Sequence, residues 1–300
     1  MKRKISLKGC FPPIPTPFDD HGRVDHDRLS DNLEKWQRTS LAGFVVLGSN
    51  GEAVFLRETE KLDVWKTCRS VIRKERLFIA GTGCESTSNT IELTEKAARF
   101  GADAAMVVTP HYYKPRMDHR ALVRHYEMIA DHSPIPIILY NVPAFTGIDL
   151  AAETIIDLAQ HPNVIGIKES MGNLVKIGHV TGALGDEFQV LAGSGGFFLS
   201  ALVMGAVGGV MALANVAPEP LTELLVSFGQ ANLKRGREIQ ARLIPLNTAV
   251  TTQFGIAGLK AALDLTGMYG GPVRSPLVSL DSDQQGEIKK VLKGAGILEA

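Results

Sequence analysis

Cysteine is scarce in this chain: Cys10, Cys68 and Cys84 are odd in number, widely spaced, and form no C-x-x-C pair. That pattern argues against a disulfide framework and for reduced, buried or incidental thiols. An excess of either charge is also missing. Lys and Arg number 32, Asp and Glu number 32, and the formal net charge is zero. Nothing therefore points to a nucleic-acid partner or to an anionic membrane surface. No apolar stretch is long enough to span a bilayer, and the basic start Met1–Lys8 lacks the apolar segment of a signal peptide. The expectation is a soluble, cytoplasmic protein with no membrane contact. Histidines never stand four apart, as a helical two-histidine metal site requires, and the crowded run from Asp19 to Asp27 lacks EF-hand spacing. No metal is expected, and that run reads as a solvated turn.

What is present is ample apolar material for one large core, 45% of 300 residues. Short runs centred on Cys10–Pro15, Phe44–Leu47, Leu77–Ala80, Ala104–Val108, Ile137–Tyr140, Val164–Lys168, Gln189–Ala192 and Gly208–Met211 are apolar on both faces. Parallel strands covered by helices have that character. Between them the apolar residues recur with helical period: Leu122, Tyr126, Ile129 and Ala130 share one face, and Ala152, Ile155, Ile156 and Ala159 another. Asp149 is placed to cap the second of these helices. Eight such runs in βαβα order predict an α/β fold, a closed (β/α)8 TIM barrel. No dinucleotide fingerprint follows the first run, which counts against an open doubly wound sheet. The segments Leu221–Phe228, Leu233–Leu243, Thr248–Phe254, Ile256–Thr266 and Gln284–Lys293 read as further helices, more than barrel closure needs. Residues 1–220 are assigned to the barrel, and 221–300 to a C-terminal helical extension packed on it and serving assembly.

Active sites of such barrels collect at the carboxyl ends of the strands. That face carries Gly48, Ser49 and Asn50 after the second run, Tyr112 and Tyr113 after the fourth, and Tyr140 at the end of the fifth. Lys168 and Ser170 follow from the sixth, Gly193–Gly196 from the seventh, and Val210 lies in the eighth. Lys168 ends the apolar run Val164–Ile167. Burial disfavours a charged ammonium, and a neutral amine can attack a ketone to give a Schiff base.

Four motifs stand in order at the ends of their strands: Gly48-Ser49-Asn50-Gly51-Glu52, Val108-Thr109-Pro110-His111-Tyr112-Tyr113, Tyr140-Asn141-Val142-Pro143 and Gly166-Ile167-Lys168-Glu169-Ser170. From about Gly9 to Pro276 the chain resembles the pyruvate-dependent class I aldolases, which include dihydrodipicolinate synthase and N-acetylneuraminate lyase. Within that group it is most similar to the 4-hydroxy-2-oxoglutarate aldolases. The resemblance implies that Lys168 forms an imine with a small keto acid, with no cofactor beyond that covalent bond. It implies that Tyr140 shuttles a proton, and that Ser49 links it to Tyr112 reaching from a neighbouring subunit, with Tyr113 as the other choice of relay. The active unit would then be at least a dimer, and the resemblance implies a homotetramer built as a dimer of dimers. Asn50 and the Gly48 turn would hold the keto-acid carboxylate, Ser170 would touch the distal end of the substrate or simply cap a helix, and Gly193 and Val210 would wall the pocket.

The chain departs from dihydrodipicolinate synthase at two places. Dihydrodipicolinate synthase carries an arginine two residues after the Tyr-Asn-Val-Pro proline, where this chain has Phe145, and two threonines where it has Ser49 and Asn50. A phenyl ring cannot replace a bidentate carboxylate clamp. The resulting expectation is a lyase that splits 4-hydroxy-2-oxoglutarate into pyruvate and glyoxylate, with Phe145 lining the distal pocket. A 2-keto-3-deoxy sugar acid dehydratase or aldolase and the synthase itself are the alternatives that use the same lysine. A keto-acid sensor or scaffold barrel is the alternative without catalysis.

Overall fold

Eight parallel strands follow one another around the sheet in the order β1-β8-β7-β6-β5-β4-β3-β2, as the alternating apolar runs predict. They are β1 Gly9–Phe11, β2 Gly43–Val46, β3 Leu77–Gly81, β4 Ala104–Val108, β5 Ile137–Asn141, β6 Val164–Glu169, β7 Gln189–Ala192 and β8 Gly208–Val210. The computed structural model describes residues 5–299, so Met1–Lys4 of the basic start lie outside the described residues. β1 is shorter than its sequence run because Pro12 and Pro13 have no N–H to give to a ladder. Closure onto β2 uses what remains: the Pro12 carbonyl accepts from Val45 N at 3.0 Å, and Ile14 N donates to the Val45 carbonyl at 2.9 Å. The result is a TIM barrel.

Period-2 alternation along the strands divides the apolar side chains into two layers. Phe11, Val45, Ile79, Met106, Ile138, Tyr140, Leu191 and Val210 fill the barrel interior. Phe44, Val46, Phe78, Ala105, Ile137, Leu139, Ile167 and Val190 face the surrounding helices. Beyond the strands, helices Pro218–Gly229, Leu233–Thr248, Gly255–Leu265 and Ser282–Gly294 complete the described chain, with a π-turn over Ala249–Gln253 between the second and third. No described helix is long and apolar enough to cross a membrane. The three cysteines are unpaired, and burial pushes the Cys10 thiol up to about 12.

His125 lies on the buried face of helix His119–His132, with Nδ1 2.9 Å from Thr87 Oγ1 and Nε2 buried without a hydrogen-bond partner among the described residues. Burial pushes its pKa down to about 4. An unfolded histidine titrates near 6.5, so below that pH the unfolded chain takes up a proton that the folded one refuses. This contribution to stability is complete above pH 6.5 and is lost as pH falls toward 4, by up to about 3 kcal/mol. Urea unfolding at pH 7, 5 and 4 is expected to show a shallower acid decline for His125→Gln than for the parent. Equal declines would remove His125 as a cause.

Candidate active site

β5 and β6 run in register with Tyr140 opposite Lys168 and Asn141 opposite Glu169. Alternation sends the first pair into the barrel and the second outward. Lys168 is only 3% exposed, and its Nζ stands 4.0 Å from the centroid of the Tyr140 ring. The Tyr140 hydroxyl in turn lies 3.2 Å from Ser49 Oγ. Amine, phenol and hydroxyl, predicted from three separate strand ends, are thus brought together in one line.

Ser49 stands on a tight turn, Ser49–Gly51, whose flanks are unusual. Leu47 (φ 61) and Glu52 (φ 53) both adopt the left-handed conformation, at a cost of roughly 1–2 kcal/mol each for side chains with a Cβ. Strain of this sort persists only where the surroundings impose it. Thr16 Oγ1 donates to the Gly51 carbonyl at 2.6 Å, and Gly48 passes 3.5 Å from Met106 Cε at the position a Cβ would take. Asn50 is half-buried on the same turn.

The outward pair enters a charged cluster that sequence reading did not find. Asn141 Nδ2 donates to Glu169 Oε2 at 2.7 Å and to Asp149 Oδ1 at 2.7 Å. Lys176, from helix Leu174–Leu184, pairs with Asp149 and lies 3.6 Å from Glu169 Oε2. Asp149 therefore does not cap helix Ala152–Leu158, whose N-cap is Ala151 without a side-chain bond. A buried ammonium demands a partner more strongly than a helix terminus does, so the carboxylate is drawn to Lys176. The available signal was alternation: the residues next to Tyr140 and Lys168 had to face the helices.

Ser170 Oγ is buried and has no hydrogen-bond partner among the described residues. It caps no helix, since Asn173 caps Leu174–Leu184. Gly193 packs against it so closely that a Cβ there would lie 2.1 Å from the hydroxyl. The glycine loop beyond is already satisfied by the chain: Ser194 Oγ accepts from Gly196 N at 3.2 Å, Asn247 bonds Ser194, and Gln240 Nε2 donates to the Gly195 carbonyl at 2.6 Å. Val210 lies in the inner layer on β8.

Two predicted residues stand apart. Tyr112 is 76% exposed, edge-on to Tyr113 at 5.0 Å, and does not bond Ser49 within the chain. Phe145 is 66% exposed on the short helix Pro143–Thr146 that follows β5. A cavity of about 80 Å³ at the strand ends is lined in part by Gly48, Ser49, Met106, Val108 and Tyr140. Larger clefts of about 600 and 560 Å³ open at the opposite end of the barrel, beside Leu77 and Val164, and contain none of these residues. Of the run from Asp19 to Asp27 only the part to Arg23 is the predicted turn; Asp25 caps helix His26–Trp36, and His26 and Asp27 lie in its first turn. The Asp19 carboxylate accepts from Arg23 N, Arg23 Nε and His21 N, which hold it below the usual carboxylate range.

The profile of the dihydrodipicolinate synthetase family matches residues 6–295. A 4-hydroxy-tetrahydrodipicolinate synthase of Methanothrix thermoacetophila is 36% identical over 290 residues, covering 95% of this chain and 96% of its own. The chloride-inhibited dihydrodipicolinate synthase of Acinetobacter baumannii, solved with pyruvate, matches with a TM-score of 0.93 at 32% identity, over 98% of this chain and 100% of its own. A monomeric dihydrodipicolinate synthase variant matches with a TM-score of 0.92 at 29% identity, over 97% of this chain and 98% of its own. None of these three is a 4-hydroxy-2-oxoglutarate aldolase, so they lend no support to the expectation that the chain stands nearest to those enzymes.

Proposed function

The chain belongs to the dihydrodipicolinate synthetase family of pyruvate-dependent class I aldolases, and on that footing we propose that Lys168 carries its reaction as an imine of pyruvate. The observation behind this reading is the buried amine in register with Tyr140, whose hydroxyl adjoins Ser49. The amine adds to the pyruvate ketone and water leaves, giving an iminium. Loss of a C3 proton gives an enamine, which forms a bond to the carbonyl carbon of an aldehyde. In the cleavage direction the C3–C4 bond breaks, its electron pair enters the iminium, and the 4-hydroxyl proton departs. Tyr140 moves that proton, with Ser49 next in the relay. Asn50 and the Gly48 turn hold the keto-acid carboxylate, and Ser170 offers its free hydroxyl to the distal part of the substrate. The reaction calls for no cofactor beyond the imine.

The relatives' names support condensation of pyruvate with an aldehyde, as in a 4-hydroxy-tetrahydrodipicolinate synthase. Phe145, which offers a distal carboxylate no bidentate donor, weighs against that synthase's aldehyde. The second reading is cleavage of a 4-hydroxy-2-oxo acid such as 4-hydroxy-2-oxoglutarate, and an apolar wall suits a longer or aromatic aldehyde half better than glyoxylate. We also propose a dimer of dimers, in which the exposed Tyr112 of one subunit completes the relay of its neighbour.

Incubation with pyruvate and borohydride is expected to add one reduced pyruvyl group, mapped by mass spectrometry to Lys168. Absence of an adduct from folded protein would sink the imine. With the imine in hand, kcat/KM for 4-hydroxy-2-oxoglutarate cleavage is compared with that for formation of 4-hydroxy-tetrahydrodipicolinate from pyruvate and its aldehyde partner. A tenfold preference either way assigns the aldehyde half.

A further inference from the structure

The turn that carries Ser49 and Asn50 is fastened to the far end of the chain. Glu52, which closes that turn in a left-handed conformation, is 1% exposed, as is Lys260 of helix Gly255–Leu265. Lys260 Nζ stands 2.7 Å from Glu52 Oε1, an ion-pair contact off the best hydrogen-bonding line. It also donates to the Pro272 carbonyl at 2.8 Å. Arg274 N donates to the other Glu52 oxygen at 2.7 Å. The Arg274 guanidinium bonds both oxygens of Glu60, at 2.6 and 3.0 Å, and also the Phe55 carbonyl just beyond the turn. Both cations lie 4.4 Å from the centroid of the Phe18 ring. Burial lowers the Lys260 pKa, opposed by the Glu52 charge, so the ammonium depends on that carboxylate.

Apolar packing could hold two helices together with less desolvation than a buried ion pair. What the pair adds is direction. It fixes one strained residue, Glu52, three positions from Ser49 and two from Asn50. We propose that Glu52 and Lys260 are positioning residues for keto-acid binding, holding the Gly48–Glu52 turn in the geometry that receives the pyruvate carboxylate. The C-terminal helices then belong to the binding site. This inference rests on the pyruvate reading above.

The test measures borohydride trapping on Lys168 against pyruvate concentration for Lys260→Met, Glu52→Gln and the double variant, with thermal melts alongside. Each single variant is expected to raise the half-saturating pyruvate concentration at least tenfold, while the maximal trapped fraction stays near that of the parent. The double variant, which leaves neither charge unpaired, is expected to return to within about threefold. Should Lys260→Met fail to fold, Glu52→Gln carries the test, since it keeps an acceptor for Arg274 N. A lowered melting temperature with half-saturation within twofold of the parent would overturn the inference and leave a purely structural pair. No trapping by the parent protein would overturn the pyruvate reading and this inference together.

Discussion

Replacing Lys168 with alanine is expected to abolish pyruvate trapping and to lower turnover by roughly 10⁴-fold or more, the scale on which removal of a covalent nucleophile acts. Lys168 makes no ion pair among the described residues, so its loss strands no buried counter-charge. The neighbouring Glu169 keeps its bonds from Asn141 Nδ2 and Met171 N, at 2.7 and 2.6 Å, so the strand end is held independently of the lysine. A melting temperature close to the parent's should therefore accompany the loss of activity. Lys168→Arg offers a second control: it retains a cation at the site, but its guanidinium does not form the imine. An adduct on another lysine, or normal turnover in Lys168→Ala, would end the assignment.

Tyr140→Phe is expected to separate the two halves of the reaction. The substitution keeps a ring in the inner layer beside Lys168 Nζ and removes only the hydroxyl that adjoins Ser49 Oγ at 3.2 Å. Imine formation should survive in part. Making or breaking the carbon–carbon bond should slow by about 10²–10⁴-fold, the usual worth of a positioned proton-transfer group. The measurement is the trapped fraction at saturating pyruvate set against the steady-state rate with a full substrate. An unchanged rate would strip Tyr140 of its role and leave it a packing residue.

The barrel was legible because strands covered on both sides are written as unbroken apolar runs, and β2 to β8 sit within a residue or two of where those runs lie. β1 was overestimated, since an apolar run with consecutive prolines is hydrophobic without being a ladder. Lys168, Tyr140 and Ser49 were legible because each ends a strand on the same face. Their supports were not. Glu169 meets Lys176 within one βα unit, but nothing in their spacing distinguishes a buried pair from two surface charges. Lys260 stands in a helix whose pattern says only that one side is apolar, and its partner lies in a turn far upstream. The π-turn at Ala249–Gln253 was read as ordinary helix, since one additional residue in a turn leaves no periodic trace over so short a span. The aldehyde half depends on Phe145, an exposed side chain whose own contacts do not define what it would face.

The bond from Arg274 N to Glu52 spans 222 residues of chain. A ribosome adding about 5–20 residues per second needs roughly 10–45 s to cover that distance. Until Lys260 and then Arg274 are made, the Glu52 carboxylate lacks the partners that receive it, so the turn that bears Ser49 cannot bury its charge at low cost. Synthesis from one end thus leaves the turn that bears Ser49 waiting for a segment made long after it, and its geometry matures only once Lys260 and Arg274 have joined it.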